Sequence, residues 1–272
     1  MGKLDGRVAV VTGGGGGLGA GIGRCLAQEG AKIIVSDISQ TLADQVAKEL
    51  QDAGFVAHAI TTDVREAEQT SALFEFCINE FGQVDILVSN AGVDGLPKGD
   101  DPPTPLLENV TDDEWDIVMD VNLKGVFLTA RAFIPYFKEQ KAGRIINIAS
   151  VAGRQGLEFL APYAASKAAV ISLSQSMALQ LAPYHVNVNT VCPGIIWTPM
   201  WDRLANYLSK ANPAMSGASP QSVFDAVVQQ MIPFGTPQTA EDIGNTVAFL
   251  ASDDASEITA QAINVCGGIR MN

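Results

Sequence analysis

Tyr163-Ala164-Ala165-Ser166-Lys167 sets a phenol and an ammonium four residues apart, which on a helix is one face. A free phenol has a pKa of about 10 and is a poor base at neutral pH, but a nearby cation favours its anion. Lys167 is placed to be that cation. Ser150, thirteen residues before Tyr163, adds a hydroxyl able to hydrogen-bond the oxygen of an alcohol or ketone. These three residue types fit proton transfer at a carbinol oxygen. Taken alone, a Tyr and a Lys at this spacing also fit a half-buried aromatic beside a solvated charge, and Ser150 fits a strand-end turn. The beginning of the chain separates these alternatives.

Arg7-Val8-Ala9-Val10-Val11-Thr12 is an apolar run of buried-strand length, broken by Gly13-Gly14-Gly15-Gly16-Gly17-Leu18-Gly19 before a helix-forming stretch to Glu29. Glycine permits tight turning and lets a backbone approach a phosphate, while amides at a helix N-terminus favour an anion. The spacing Thr-Gly-x3-Gly-x-Gly therefore suits a pyrophosphate and is more specific than a flexible glycine linker. A second strand, Ala31 to Asp37, ends in a carboxylate eighteen residues after Gly19. A dinucleotide fold puts the group that meets the adenosine ribose about there. Asp37 would accept from ribose hydroxyls and repel a 2′-phosphate, and neither the glycine turn nor Ile38-Ser39-Gln40 carries an Arg or Lys to offset that repulsion. NAD is expected over NADP. A helix-capping role is the simpler alternative for Asp37.

The ordered set Thr12-Gly13-x3-Gly17-Leu18-Gly19, Asp63-Val64, Asn90-Ala91-Gly92, Asn122, Ser150, Tyr163-x3-Lys167 and Pro193-Gly194-Ile195-Ile196-Trp197-Thr198 resembles the single-domain short-chain dehydrogenases/reductases over nearly the whole chain. The resemblance implies Asn122, Ser150, Tyr163 and Lys167 as catalytic residues. It implies cofactor contacts from Gly13, Gly17, Leu18, Gly19, Asp37, Asp63, Val64, Asn90, Ala91, Gly92, Tyr163, Lys167, Pro193, Gly194, Ile196 and Thr198. It further implies that Lys167 hydrogen-bonds the nicotinamide ribose, and that Asn122 sits at a kink holding a water of a proton relay. A homodimer or homotetramer would pair the helices containing Asn122 and Tyr163, where Ala164, Ala165, Ala168 and Ala169 permit close packing. Two residues depart from the pattern: Ser89, where a first Asn is common, and Cys266, where an Asp is common before Gly267-Gly268.

Strands are expected near 7–12, 31–37, 55–60, 84–89, 143–149, 185–191 and 262–265, with helices between them. Apolar strands separated by helices imply an α/β fold, a doubly wound parallel sheet of about seven strands of the Rossmann type. Ligands of such a sheet bind beyond the carboxyl ends of the strands, where Gly13, Asp37, Asp63, Asn90, Ser150 and Pro193 all fall. The spacing Thr111-Asp112-Asp113-Glu114 fits a capping box opening a helix to about Lys138, within which Asn122 and Gly125 are poor formers. Residues 1–272 read as one domain. The Asp94 to Pro105 stretch and residues 198–237 read as insertions, the second as a substrate lid with an apolar inner face built from residues such as Trp197, Met200, Trp201, Leu204 and Phe224, the alternative being that these pack the core or a subunit interface.

A net charge of −13 argues against nucleic acid, anionic membrane surfaces and polyanionic substrates. The first residues lack a signal-peptide core and a myristoylation pattern, so a soluble cytoplasmic protein is expected. Cys25, Cys77, Cys192 and Cys266 are dispersed and read as reduced packed thiols. With only His58 and His185 no metal is expected. The expected reaction is oxidation in which Tyr163 takes the hydroxyl proton while hydride leaves for the nicotinamide, or its reverse. Arg203 and Lys210 are the only basic residues of the lid, which favours a neutral polyol, small hydroxyketone, or alicyclic or aryl alcohol. An NAD-dependent epimerase or dehydratase, and a noncatalytic NAD-binding protein, are the alternatives. The first usually appends a sugar-nucleotide domain, for which seven residues after Val265 leave no room, and the second has no need of the four catalytic residues.

Overall fold

The computed structural model describes residues 2–96, 106–211, 215 and 217–271. Its strands are β1 (Val8–Thr12), β2 (Lys32–Asp37), β3 (Ala57–Thr61), β4 (Ile86–Ser89), β5 (Gly143–Ile148), β6 (Val186–Pro193) and β7 (Ala262–Val265). Every one begins and ends within two residues of the expected position. They form one parallel sheet in the order β3-β2-β1-β4-β5-β6-β7. The helices are α1 (Gly17–Gln28), α2 (Gln40–Asp52), α3 (Ala67–Phe81), α4 (Asp112–Met119), α5 (Gly125–Gln140), α6 (Ala161–Leu181), α7 (Pro199–Ala211), α8 (Pro220–Met231) and α9 (Ala240–Ala251).

Successive strand residues point to opposite faces, and each face has its own core. Ala9, Val11, Ile33 and Val35 pack with Ile22 and Leu26 of α1, Val46 and Leu50 of α2 and Val247 and Leu250 of α9. Val8, Val10, Ile34, Leu87 and Ile145 pack with Leu73 of α3, Phe133 and Phe137 of α5 and Met177 and Leu181 of α6. Because both faces are covered, the inner strands must be apolar throughout rather than alternating, which is why β1 and β4 read as continuous runs. Strand order reverses between β1 and β4, and the crevice beyond their carboxyl ends is where the motif residues collect.

The expected single helix from Thr111 is interrupted. Its capping box is present, with the Thr111 side chain accepting from Glu114 N–H and the Glu114 carboxylate accepting from Thr111 N–H. One wide π turn at Asp120–Lys124 then separates α4 from α5. Asn122 sits in that turn, wholly buried, with its amide turned inward. Gly125 follows because a Cβ there would come 2.7 Å from Val64 Cγ2. Two residues that weaken a regular helix are thus present for contacts made elsewhere.

Residues 198–237 leave and rejoin the sheet end at one point, since Ile195 N–H donates to Gln238 Oε1 (3.0 Å) and Gln238 N–H donates to the Ile195 carbonyl (3.1 Å). Of the Asp94 to Pro105 stretch, residues 97–105 lie outside the described residues.

Candidate active site

At one end of the crevice the glycine turn joins β1 to α1. Gly13 has a left-handed φ of 61°, and a Cβ at Gly19 would sit 2.1 Å from the Gly13 carbonyl oxygen, so the turn closes only with glycine there. Gly16 caps α1 without a side-chain acceptor, which leaves the first-turn amides facing the crevice free of a side-chain partner. Asp37, at the end of β2, accepts from Gly15 N–H (2.9 Å) and Ser39 N–H (3.0 Å). These amides hold the carboxylate on the cavity wall. Ser39, not Asp37, caps α2. Thr12 and Asn90 tie the turn to the β4 loop: Thr12 Oγ1 accepts from Asn90 N–H, and Asn90 Nδ2 donates to the Thr12 and Gly13 carbonyls, both at 3.0 Å. Asp63 reaches the same cavity with its carboxylate clamped by Arg65, whose Nε donates at 2.9 and 3.1 Å and whose Nη2 donates at 2.5 Å.

At the other end Ser150, Tyr163 and Lys167 converge. Ser150 ends the β5 segment and its hydroxyl accepts from Ala152 N–H (3.1 Å), opening a short 3-10 turn. The Tyr163 hydroxyl lies close enough to Ser150 for the serine hydroxyl to favour its anion. One turn along α6, Lys167 is 4% exposed, donates to the Ile148 carbonyl (2.9 Å) and holds its Nζ 5.6 Å from the Tyr163 ring centre. Ser150, Tyr163, Lys167 and every residue expected to contact the cofactor line this one cavity of about 900 Å³, whereas Asn122 and, of the expected lid face, Trp197 and Phe224 do not. Asn122 lies behind the wall: its Oδ1 accepts from Val93 N–H (2.8 Å), and its Nδ2 donates to the Val93 carbonyl and to Ser166 Oγ, each at 3.0 Å. Ser166 in turn donates to the Tyr163 carbonyl (2.7 Å). Ser166 went unread in the sequence, although it stands inside the Tyr-x3-Lys motif.

Burial, not Lys167, dominates the phenol. Removal from water pushes Tyr163 up to about 12, partly countered by the Ser150 hydroxyl and reinforced by the negative charge of Asp94. Burial also pushes Lys167 down to about 8. Burial thus outweighs any lowering of the phenol by the neighbouring ammonium. The thiols of Cys25, Cys77 and Cys192 are raised by burial, Cys77 to about 12, and all four cysteines are free. Among the described residues no cluster of three His, Cys, Asp or Glu could hold a metal, and no helix is long and apolar enough to cross a membrane.

Met200, Trp201, Leu204 and Leu208 of α7 and Met231 of α8 face the cavity. The remaining apolar residues of the segment divide. Phe224 is buried edge-on against Trp197 (4.9 Å) and Trp201 (5.4 Å), whereas Phe234 is 80% exposed. Arg203 of α7 donates through Nε (3.2 Å) and Nη2 (2.8 Å) to Asp94 Oδ2 in the β4 loop. Both residues line the cavity. Sequence reading noticed Arg203 but not its partner, four positions after Asn90.

Residues 7–208 match the family model described as short chain dehydrogenase. A diacetyl reductase [(S)-acetoin forming] of Staphylococcus epidermidis is 35% identical over 264 residues, 97% of this chain and 98% of its own. Among solved structures, NAD+-bound xylitol dehydrogenase superimposes with a TM-score of 0.89 at 30% identity, covering 98% of this chain and all of the other. Actinorhodin polyketide ketoreductase with NADPH gives 0.88 at 34% identity, with 99% of both chains covered. The chain belongs to the short-chain dehydrogenase family. As a member of that family it is an oxidoreductase.

The two shifted groups make stability depend on pH with opposite signs. Lys167 has a folded pKa of about 8 against an ordinary 10.5, so between these values the unfolded chain binds more protons and stability rises with pH. Tyr163, about 12 against 10, retains its proton longer when folded, so its contribution declines from pH 10 upward. In Lys167→Met the rise in urea-unfolding free energy from pH 8 to 10 is expected to shrink by roughly 1–3 kcal/mol relative to wild type. An equally steep rise in the variant would show that the buried ammonium is not its source.

Proposed function

We propose that this protein is an NAD-dependent dehydrogenase/reductase acting on a neutral secondary alcohol or ketone, such as a polyol, a small hydroxyketone, or an alicyclic or aryl alcohol. The observation that carries the reading is one cavity with the Ser150, Tyr163 and Lys167 constellation at one end and Asp37 with the glycine turn at the other. The residues present fit a nicotinamide dinucleotide: a side-chain-free turn and open helix amides for its pyrophosphate, and an amide-oriented carboxylate for its adenosine ribose. NAD is favoured because Lys167 and Arg203 are the only basic residues lining the cavity among those described, and Arg65 nearby is committed to Asp63. We place the enzyme in the cytoplasm on the strength of its free, buried thiols.

Ser150 and Tyr163 bind the substrate oxygen between them. Hydride exchange at the carbinol carbon is the chemistry a bound nicotinamide supplies, and its oxidised form adds positive charge to the site. In the reducing direction Tyr163, which burial keeps protonated, donates its proton to the forming alkoxide. In oxidation Tyr163 receives the hydroxyl proton as the phenolate, the form that the positive charges of Lys167 and of an oxidised nicotinamide would favour. Asn122 and Ser166 position this machinery by fixing the Val93 backbone and the first turn of α6. Helices α7 and α8 serve as the lid, excluding water from the apolar half of the cavity.

The exposed face of α6 around Ala165 and Ala168, with Phe127 of α5 44% exposed, supports assembly through these helices into a homodimer or homotetramer. Light scattering at micromolar concentration is expected to give two or four times 28.6 kDa; a stable monomer refutes the assembly. Tyr163→Phe should keep the fold and NAD binding yet slow turnover by a factor on the order of 10² or more. Near-normal turnover in that variant, on a panel of secondary alcohols followed by nicotinamide absorbance, would sink the assignment of the acid–base group. Asp37→Ser should weaken NAD roughly ten- to a hundredfold and bring NAD and NADP toward parity in kcat/KM. Equal use of both coenzymes by wild type would overturn the role given to Asp37.

A further inference from the structure

The mouth of the substrate half of the cavity carries one ion pair whose two members come from different walls. Asp94 is 7% exposed and rigidly placed: its Oδ1 accepts from Leu96 N–H (3.1 Å), and Val93 beside it is clamped through both backbone polar groups by Asn122. Arg203 is held by α7 of the lid, with its side chain about half exposed, and both its bonds go to the single oxygen Asp94 Oδ2. A half-exposed pair of this kind contributes little to stability. Its consequence is electrostatic. Of the two basic residues lining the cavity among those described, Lys167 is bonded to Ile148 at the catalytic end, so Arg203 is the cation that a second polar group on the substrate would meet.

We infer that Asp94 is a specificity-determining residue, which occupies the Arg203 guanidinium and thereby keeps the substrate pocket closed to carboxylate-bearing ketones and open to neutral ones. This rests on the dehydrogenase reading above and names the feature that sets its substrate class. A substrate carboxylate entering the pocket would find the Nε–Nη2 edge of Arg203 already held by Asp94 and would face that carboxylate's charge at close range, so repulsion offsets what the remaining donors offer. The negative charge of Asp94 reaches the Tyr163 phenol, which places it within range of a substrate bound there. Arg203 released from Asp94 would become a charge-assisted donor for an anion.

The test uses ketone pairs in which an acetyl group of the neutral member is replaced by a carboxylate: butane-2,3-dione against pyruvate, and 1-phenylpropane-1,2-dione against benzoylformate. Wild type with NADH is expected to prefer the neutral member. In Asp94→Asn, which keeps the shape and an acceptor oxygen, the ratio of kcat/KM should swing toward the carboxylate by roughly ten- to a hundredfold. The double variant Asp94→Asn/Arg203→Met should lose that gain. Binding of benzoylformate, followed through quenching of tryptophan fluorescence, with Trp201 in the same helix as Arg203, should show the same order without turnover. A ratio unchanged within twofold in Asp94→Asn, a gain that survives loss of Arg203, or a wild type indifferent to charge would each overturn the inference. If no variant turns over any member with NADH while the binding order still swings as expected, the dehydrogenase reading fails and the role of Asp94 stands.

Discussion

The Asn122 side chain is wholly enclosed and must find a partner for each of its polar groups, because a buried amide left unpaired is costly. It finds them on two separate elements: both backbone polar groups of Val93 on the rim after β4, and the Ser166 hydroxyl on α6. Reaching them requires the wide turn between α4 and α5, where Gly125 lets the helix lie against Val64. Ser166 passes the constraint to the backbone of Tyr163. One amide thus fixes the rim that carries Asp94 and the helix turn that carries the phenol, without itself lining the cavity.

Charge in the cavity is arranged by local partners and by one pair across elements. Asp63 is neutralised by Arg65 and Asp94 by Arg203, while Asp37 is held by backbone amides. Asp37 is consequently able to engage a hydroxylated ligand without breaking an ion pair. At the catalytic end the opposite problem arises, since Lys167 is a cation with a carbonyl rather than a carboxylate as its partner. Its depressed pKa and the raised pKa of Tyr163 are two expressions of the same dry site. A site that disfavours both ions holds its proton on the phenol and responds strongly to any charge that enters.

Much of this was legible beforehand for a physical reason. A parallel sheet covered on both faces needs uninterrupted apolar strands, and its ligand must lie beyond their carboxyl ends. Once strands were recognised at Val8, Lys32, Ile86, Gly143 and Val186, the positions of Gly13, Asp37, Asn90, Ser150 and Pro193 on one rim followed. The weakness of the Asn122 and Gly125 stretch as a helix was also visible, because propensity is a local property.

What depends on distant segments was not legible. That Asn122 grips Val93 rather than lining the cavity, that Asp94 meets Arg203 across 109 positions, and that Phe224 turns inward while Phe234 is exposed are set by how elements pack, not by spacing along the chain. The balance at Tyr163 is of the same kind. Sequence supplies the phenol and the ammonium at one helical spacing, and so determines the chemistry available. The tertiary structure determines how much water reaches them, and that alone decides whether the phenol is lowered by its neighbour or raised by its burial.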